Sequence, residues 1–115
     1  MAPLNYGRHL PAFILLFLAK GSTYGSALMN QMKESMPYYF DDSPAIYRAL
    51  GELEKSGSVI CNWDTSSSGA AKKYYTITEI GLQKLIEFKE DIEIRKKNAE
   101  FFLLEFEALE NGGKK

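Results

Sequence analysis

From Glu79 to Glu110 the chain contains no proline, and beyond Gly81 no glycine. Nothing in that stretch breaks a helix, so it is expected to form one long helix, capped by Thr78. Leu82, Leu85, Ile92, Ala99, Leu103 and Phe106 recur at three- and four-residue spacing, a stripe that tolerates Lys89 and Lys96 within it. Phe88, Phe102 and Leu109 lie beside the stripe, and the run Phe101-Phe102-Leu103-Leu104 is apolar on more than one face. With 115 residues the chain builds one ordinary core and not two. One small domain does not cover so wide an apolar surface. The helix is therefore expected to be a subunit interface, with Leu85, Ile92, Ala99, Phe102, Leu103 and Phe106 at the contact.

The residues before it change period twice. Leu10, Ala12, Phe13, Ile14, Leu15, Leu16, Phe17 and Leu18 predict a helix over 9–20 that is apolar all round and buried, with Pro11 in its first turn. Gly21 is expected to close it in the left-handed conformation. A second helix follows over 24–36, capped by Ser22 or Thr23, with Tyr24, Ala27, Leu28, Met32 and Met36 inward. Pro37 ends it. A third begins with Ser43 as N-cap and Pro44 behind it, and turns Ile46, Ala49, Leu50 and Leu53 to the core. Ser56-Gly57 stops that helix. Residues 59–63 and 72–77 read as two strands joined by a small polar loop, a β-hairpin.

Composition excludes several classes. The chain is 45% hydrophobic and 25% charged, the balance of a soluble globular protein. The apolar run 10–19 is too short to span a bilayer, and no small-x-small cleavage site follows it, so a cytoplasmic protein without membrane association is expected. Cys61 is the only cysteine and His9 the only histidine, which excludes an internal disulfide and any zinc set. Cys61 reads as a structural thiol in a reducing compartment, with a redox role left open. No catalytic constellation and no phosphate-binding glycine loop is present, so neither an enzyme nor a cofactor or metal is expected. Net charge is −1. Residues 1–78 carry seven basic and six acidic groups, and residues 79–110 five against nine. A polyanionic partner would thus meet the first part of the chain.

Three helices, a hairpin and a further helix follow the order of a winged helix-turn-helix. The fold class is mainly α with a small β-hairpin wing and a long C-terminal dimerisation helix. Residues 1–78 are expected to form the DNA-binding domain, 79–110 the dimerisation helix and 111–115 a flexible tail. Winged helices also serve as protein-interaction adaptors that bind no DNA, and that reading stays open on order alone. The residues go further. Tyr24-Gly25 opens helix two. The run Ile46-Tyr47-Arg48-Ala49-Leu50-Gly51-Glu52-Leu53-Glu54-Lys55-Ser56-Gly57 resembles the recognition-helix signature of the PadR family, a Tyr followed by a Leu-x-x-Leu-Glu run ending in Gly. Lys72-Lys73-Tyr74-Tyr75-Thr76-Ile77-Thr78-Glu79-Ile80-Gly81 is similar to that family's wing. The single last helix resembles the shorter PadR subfamily. The resemblance implies a homodimer joined by that helix, repressing nearby genes from a palindromic operator and released by a small molecule.

A recognition helix needs small or polar groups at its N-terminal end, where base edges are reached. Ser43, Ala45, Tyr47 and Arg48 stand there. Ser43 is also the expected N-cap. Tyr47 has either the groove or the core to fill. Arg48 meets a base or phosphate, or pairs with Glu52 four residues on. Lys72 and Lys73 are candidate phosphate or minor-groove contacts, or an ordinary exposed pair. Tyr74 and Tyr75 alternate sides, so one packs inward and the other faces DNA; Tyr75 is included among the contacts. Tyr24 joins them, its hydroxyl at a helix N-terminus within reach of phosphate. Asp41 and Asp42 complement the helix dipole but repel phosphate, and the wing tip lacks arginine, so affinity is expected to be modest and salt-dependent. A small hydrophobic or aromatic effector would sit between the last helices and helix one, where Phe13, Phe17, Phe101 and Phe102 line its cavity or are plain core and interface. Shorter family members stack flat ligands on a tryptophan of the last helix; the only one here, Trp63, is in a wing strand.

Overall fold

The computed structural model describes residues 7–39, 41–66 and 69–112. The end of the expected tail beyond Gly112, Ser67 and Ser68 of the hairpin loop and Phe40 of the link lie outside them. A 3-10 turn over Gly7–His9 leads into α1 (Leu10–Lys20), followed by β1 (Thr23–Tyr24), α2 (Gly25–Ser35), α3 (Ser43–Lys55), β2 (Val59–Asp64), β3 (Lys72–Ile77) and α4 (Glu79–Gly112). No helix among the described residues is long and apolar enough to cross a membrane.

The core forms where the apolar faces converge. α1 buries Leu10, Ala12, Ile14, Leu15, Phe17 and Leu18, while Leu16 stays exposed. Leu28 and Met32 of α2, Ile46, Leu50 and Leu53 of α3, and Val59 and Tyr75 of the sheet close around it. Each fully buried aliphatic side chain contributes about 1.5–3 kcal/mol relative to exposure.

Four local expectations are corrected. The sheet has three antiparallel strands in the order β1-β3-β2 and is not a bare hairpin. Thr23 pairs with Tyr75 and Tyr24 with Tyr74, while β2 pairs with β3 from Val59↔Ile77 to Asp64↔Lys72. Because Thr23 is spent on that ladder, neither it nor Ser22 caps α2; the N-cap is Tyr24, without a side-chain bond. Gly21 is extended, φ 165°, as a residue leading straight into a strand should be, and its N–H closes α1 on the Leu18 carbonyl. The N-cap of α3 is Asp42, whose carboxylate accepts from the Ala45 N–H at 3.1 Å, so Ser43 becomes the first helical residue.

The end of α3 and the start of α4 interlock. Gly57 takes the left-handed conformation, φ 77°. The Thr78 hydroxyl lies 2.6 Å from the Gly57 carbonyl and accepts from the Gly81 N–H at 3.1 Å, capping α4 as expected. Gly81 is buried so tightly that a Cβ there would lie 2.2 Å from the Ser58 carbonyl oxygen. The chain divides into two compact units, Met1–Leu85 and Ile86–Lys115. The first thus includes the opening turns of α4.

Candidate nucleic-acid interface

α3 is amphipathic. With Ile46, Leu50 and Leu53 buried, the helix presents Arg48, Glu52 and Lys55 to solvent, with Ser43 and Ala45 half-buried near its start. The ring of Tyr47 is 47% exposed and lies against Gly25, where a Cβ would come within 2.8 Å of it. The glycine that opens α2 is thus the seat of the recognition-helix tyrosine.

Between α3 and the wing runs an open cleft of about 480 Å³. Tyr47, Gly51 and Glu54 form one wall and Lys72 and Lys73 the other, with Gly25 at the end. Five expected contacts therefore line one place: Tyr24, Tyr47, Lys72, Lys73 and Tyr75. Ser43, Ala45 and Arg48 do not line it; they lie at the start of α3 and on its solvent face.

Three of the expected roles change. Tyr75 is only 5% exposed. Its backbone sits in the central strand and its ring packs on the core, which raises the hydroxyl pKa through burial. It shapes the floor of the cleft, and its neighbour Tyr74 takes the opposite face of the sheet. The Tyr24 hydroxyl donates to the Asp64 carboxylate and is not free for phosphate. That bond raises its pKa. Asp64 also accepts from the Ser66 hydroxyl at 2.6 Å and the Ser66 N–H at 2.9 Å, and its carboxyl is held down to about 2, by Ser66 first and Tyr24 next. The Tyr24 ring meets Tyr74 edge-on at 5.1 Å, with the Lys72 ammonium 5.7 Å above it. Asp64 therefore ties the wing to the entrance of α2.

Lys73 differs from Lys72. Its ammonium lies 3.4 Å from Glu54 Oε1 and 5.5 Å over the Trp63 ring. Cys61 Sγ donates to the other Glu54 oxygen at 3.0 Å. These bonds hold the Glu54 carboxyl below its ordinary range, the thiol's contribution being the larger. The same contact raises the Cys61 pKa, so the thiol stays protonated, the opposite of a reactive thiolate. Sequence reasoning missed Glu54, Asp64 and Trp63 as positioning groups. For Asp64 and Trp63 the only sequence signal is the hairpin register, which sets Asp64 opposite Lys72 and Trp63 opposite Lys73; Glu54, on α3, has none.

In the second unit, α4 carries a dense run of exposed apolar side chains in its last third. Phe102 is 64% exposed, and Phe101, Leu103, Leu104, Phe106 and Leu109 are open to a similar degree. Phe102 and Phe106 stack on each other at 6.3 Å. Ala99 is exposed with them, and Ile92 too, while Leu85 is half-buried at the end of the first unit. Lys89–Glu93 and Arg95–Asp91 pair four residues apart on the helix surface. Of the expected effector residues, Phe17 is buried in the first unit beneath the Lys20 ammonium, and Phe13 is half-buried there. Phe101 and Phe102 belong to the second unit.

A three-stranded wing packed against a helix pair with an exposed second helix defines a winged helix-turn-helix protein. Residues 14–87 match the model of the transcriptional regulator PadR-like family, and the chain belongs to that family. It is a family of transcriptional regulators and not of enzymes. Solved structures agree. A PadR family transcription regulator from hypervirulent Clostridium difficile R20291 superposes with a TM-score of 0.70 at 26% identity, over 83% of this chain and 98% of that one. A transcriptional regulator from Clostridium thermocellum gives 0.72 at 25% identity, over 82% and 92%. Bacillus subtilis PadR, solved with operator DNA, gives 0.65 at 28% identity, over 70% of this chain and 46% of that one. No curated protein sequence matches the chain.

Proposed function

We propose that the chain is a homodimeric, cytoplasmic repressor that binds a palindromic operator through α3 and the wing. The observation that carries this reading is the cleft in which Tyr47 and Gly51 of α3 stand beside Lys72 of the wing, within one compact unit. The similarity to Bacillus subtilis PadR, solved with operator DNA, supports it. Arg48 and Ala45 meet base edges in the major groove, Tyr47 borders them from its seat on Gly25, and Ser43 contacts the backbone at the helix start. Lys72 contacts phosphate outside the groove. The exposed Phe102, Leu103 and Phe106 stripe of α4 joins two copies, with Leu85, Ile92 and Ala99 along the same seam. Two recognition helices then read half-sites about 34 Å apart, one turn of the duplex. Phe101 and Phe102, exposed on α4, are the aromatic surface open to a small hydrophobic or aromatic effector whose binding releases DNA.

The test is a titration of dye-labelled duplex from the protein's own promoter, followed by anisotropy at low and moderate salt. Tight binding to that duplex over a scrambled one, weakening with salt, is expected. A folded dimer that binds no duplex overturns the reading in favour of a protein-interaction adaptor.

A further inference from the structure

Two neighbouring lysines of the wing stand in different electrostatic states. Lys72 has its ammonium over the Tyr24 ring. Lys73, on the opposite face of the same strand, is paired with Glu54 of α3. We propose that Glu54 sets the affinity of the interface, holding Lys73 back so that the wing offers the DNA backbone one cation and not two. The inference rests on the DNA-binding reading above.

The ion pair is part-exposed, and further contacts anchor it at the cleft. Glu54 lies in the cleft between α3 and the wing, with both carboxylate oxygens engaged, Oε1 by Lys73 and Oε2 by the Cys61 thiol. Two donors from the wing, one on each strand of the hairpin, thereby hold the carboxylate at α3. The Trp63 ring holds Lys73 from the other side. For Lys73 to reach a phosphate it must leave Glu54, and the bare carboxylate would remain in the cleft facing a polyanion. The charges around the site are balanced. Asp64 stands against Lys72 across the ladder, as Glu54 stands against Lys73. Asp64, however, is occupied by Tyr24 and Ser66 and leaves Lys72 without a direct ion pair among the described residues. Backbone charge strengthens binding to every sequence alike. A carboxylate that cancels one cation therefore keeps the protein from adhering to DNA at large.

The experiment compares the parent, Glu54→Gln, Lys73→Met and the double variant on promoter and scrambled duplexes across a salt series. Glutamine removes the charge and keeps one accepting oxygen, enough for Lys73 or for Cys61 but not for both. Glu54→Gln is expected to bind both duplexes about threefold tighter or more, and its log–log salt dependence to steepen by about 0.9 for each Lys73 that reaches a phosphate. Adding Lys73→Met should return the slope to the parent's. In the parental background Lys73→Met leaves the Glu54 carboxylate bare and should weaken binding to both duplexes without flattening the slope, whereas Lys72→Ala flattens the slope by about 0.9 per lysine lost. That arm stands even if Glu54→Gln fails to fold. A folded Glu54→Gln with the parental slope, or a Lys73→Met variant whose slope flattens as that of Lys72→Ala does, overturns the proposal while leaving DNA binding intact. Absence of binding by the parent and every variant overturns both.

Discussion

Replacing Gly81 by alanine tests the joint between the recognition helix and α4. The added Cβ would lie 2.2 Å from the Ser58 carbonyl oxygen and 2.6 Å from Ile77 Cγ1, where ordinary contact begins at 3.4 Å. The oxygen is not free to withdraw. It accepts from the Thr78 N–H at 3.0 Å, and the Ser58 N–H is itself bonded to the Leu53 carbonyl at 2.8 Å. The start of α4 must therefore shift by about an ångström or more, straining the Thr78 cap. Overpacking of this kind costs about 1–3 kcal/mol. Weakening the buried hydrogen bonds of the joint adds about 1 kcal/mol. The better helix propensity of alanine returns about 1 kcal/mol. The net loss is about 2 kcal/mol, which lowers Tm by about 6–10 °C in a chain of this length. Gly51 is the control, since it lies inside α3 and a Cβ there meets nothing within 4 Å. Gly51→Ala should gain up to about 1 kcal/mol and raise Tm by a few degrees. The assay is thermal unfolding followed by circular dichroism at matched protein concentration, because self-association shifts Tm by mass action. If Gly81→Ala melts at or above the parent, the close approach does not govern stability and the argument for the joint fails.

Other expectations concern binding, acid stability and assembly. Arg48→Ala should lose the preference for promoter over scrambled duplex while remaining folded, and an unchanged anisotropy titration would remove Arg48 from the contact. Asp64 has a folded pKa of about 2 against an ordinary 3.8. Its contribution is therefore complete above about pH 5 and lost as pH falls through 4 towards 2. Asp64→Asn should melt below the parent at pH 7, the gap narrowing over that acid window; a gap constant from pH 7 to 2 would count against the wing tie. Phe102→Glu combined with Phe106→Glu should convert a dimer to a monomer in sedimentation velocity, and a dimer that persists would place the subunit contact elsewhere.

The helices were readable because their apolar residues recur with helical period and their ends carry proline and glycine. Ile46, Leu50 and Leu53 could be assigned to the core from spacing alone, and they are buried. β1 was not readable. It is two residues long, shows no alternation, and exists only because Thr23 and Tyr24 lie beside β3 after folding. The shift of the α3 cap from Ser43 to Asp42 has a similar origin, since both residues are good caps and only the backbone path decides between them. For Tyr74 and Tyr75 the alternation was evident but its phase was not. The central position of β3 turns Tyr75 inward. The charged partners were least legible. Glu54 and Lys73 are nineteen residues apart, and only the packing of the wing on α3 brings them together.

The chain contains a single tryptophan. It stands on the wing, 62% exposed, with the Lys73 ammonium over its ring. With excitation at the red edge of the indole absorption, where the seven tyrosines do not absorb, the emission thus comes from one known position. A wing that closes over a duplex would dry the indole and move its emission to shorter wavelength, while a wing that stays in solvent would leave the spectrum where it is. The protein carries an intrinsic optical label beside the cleft, and rapid mixing can follow wing docking in time without any attached dye.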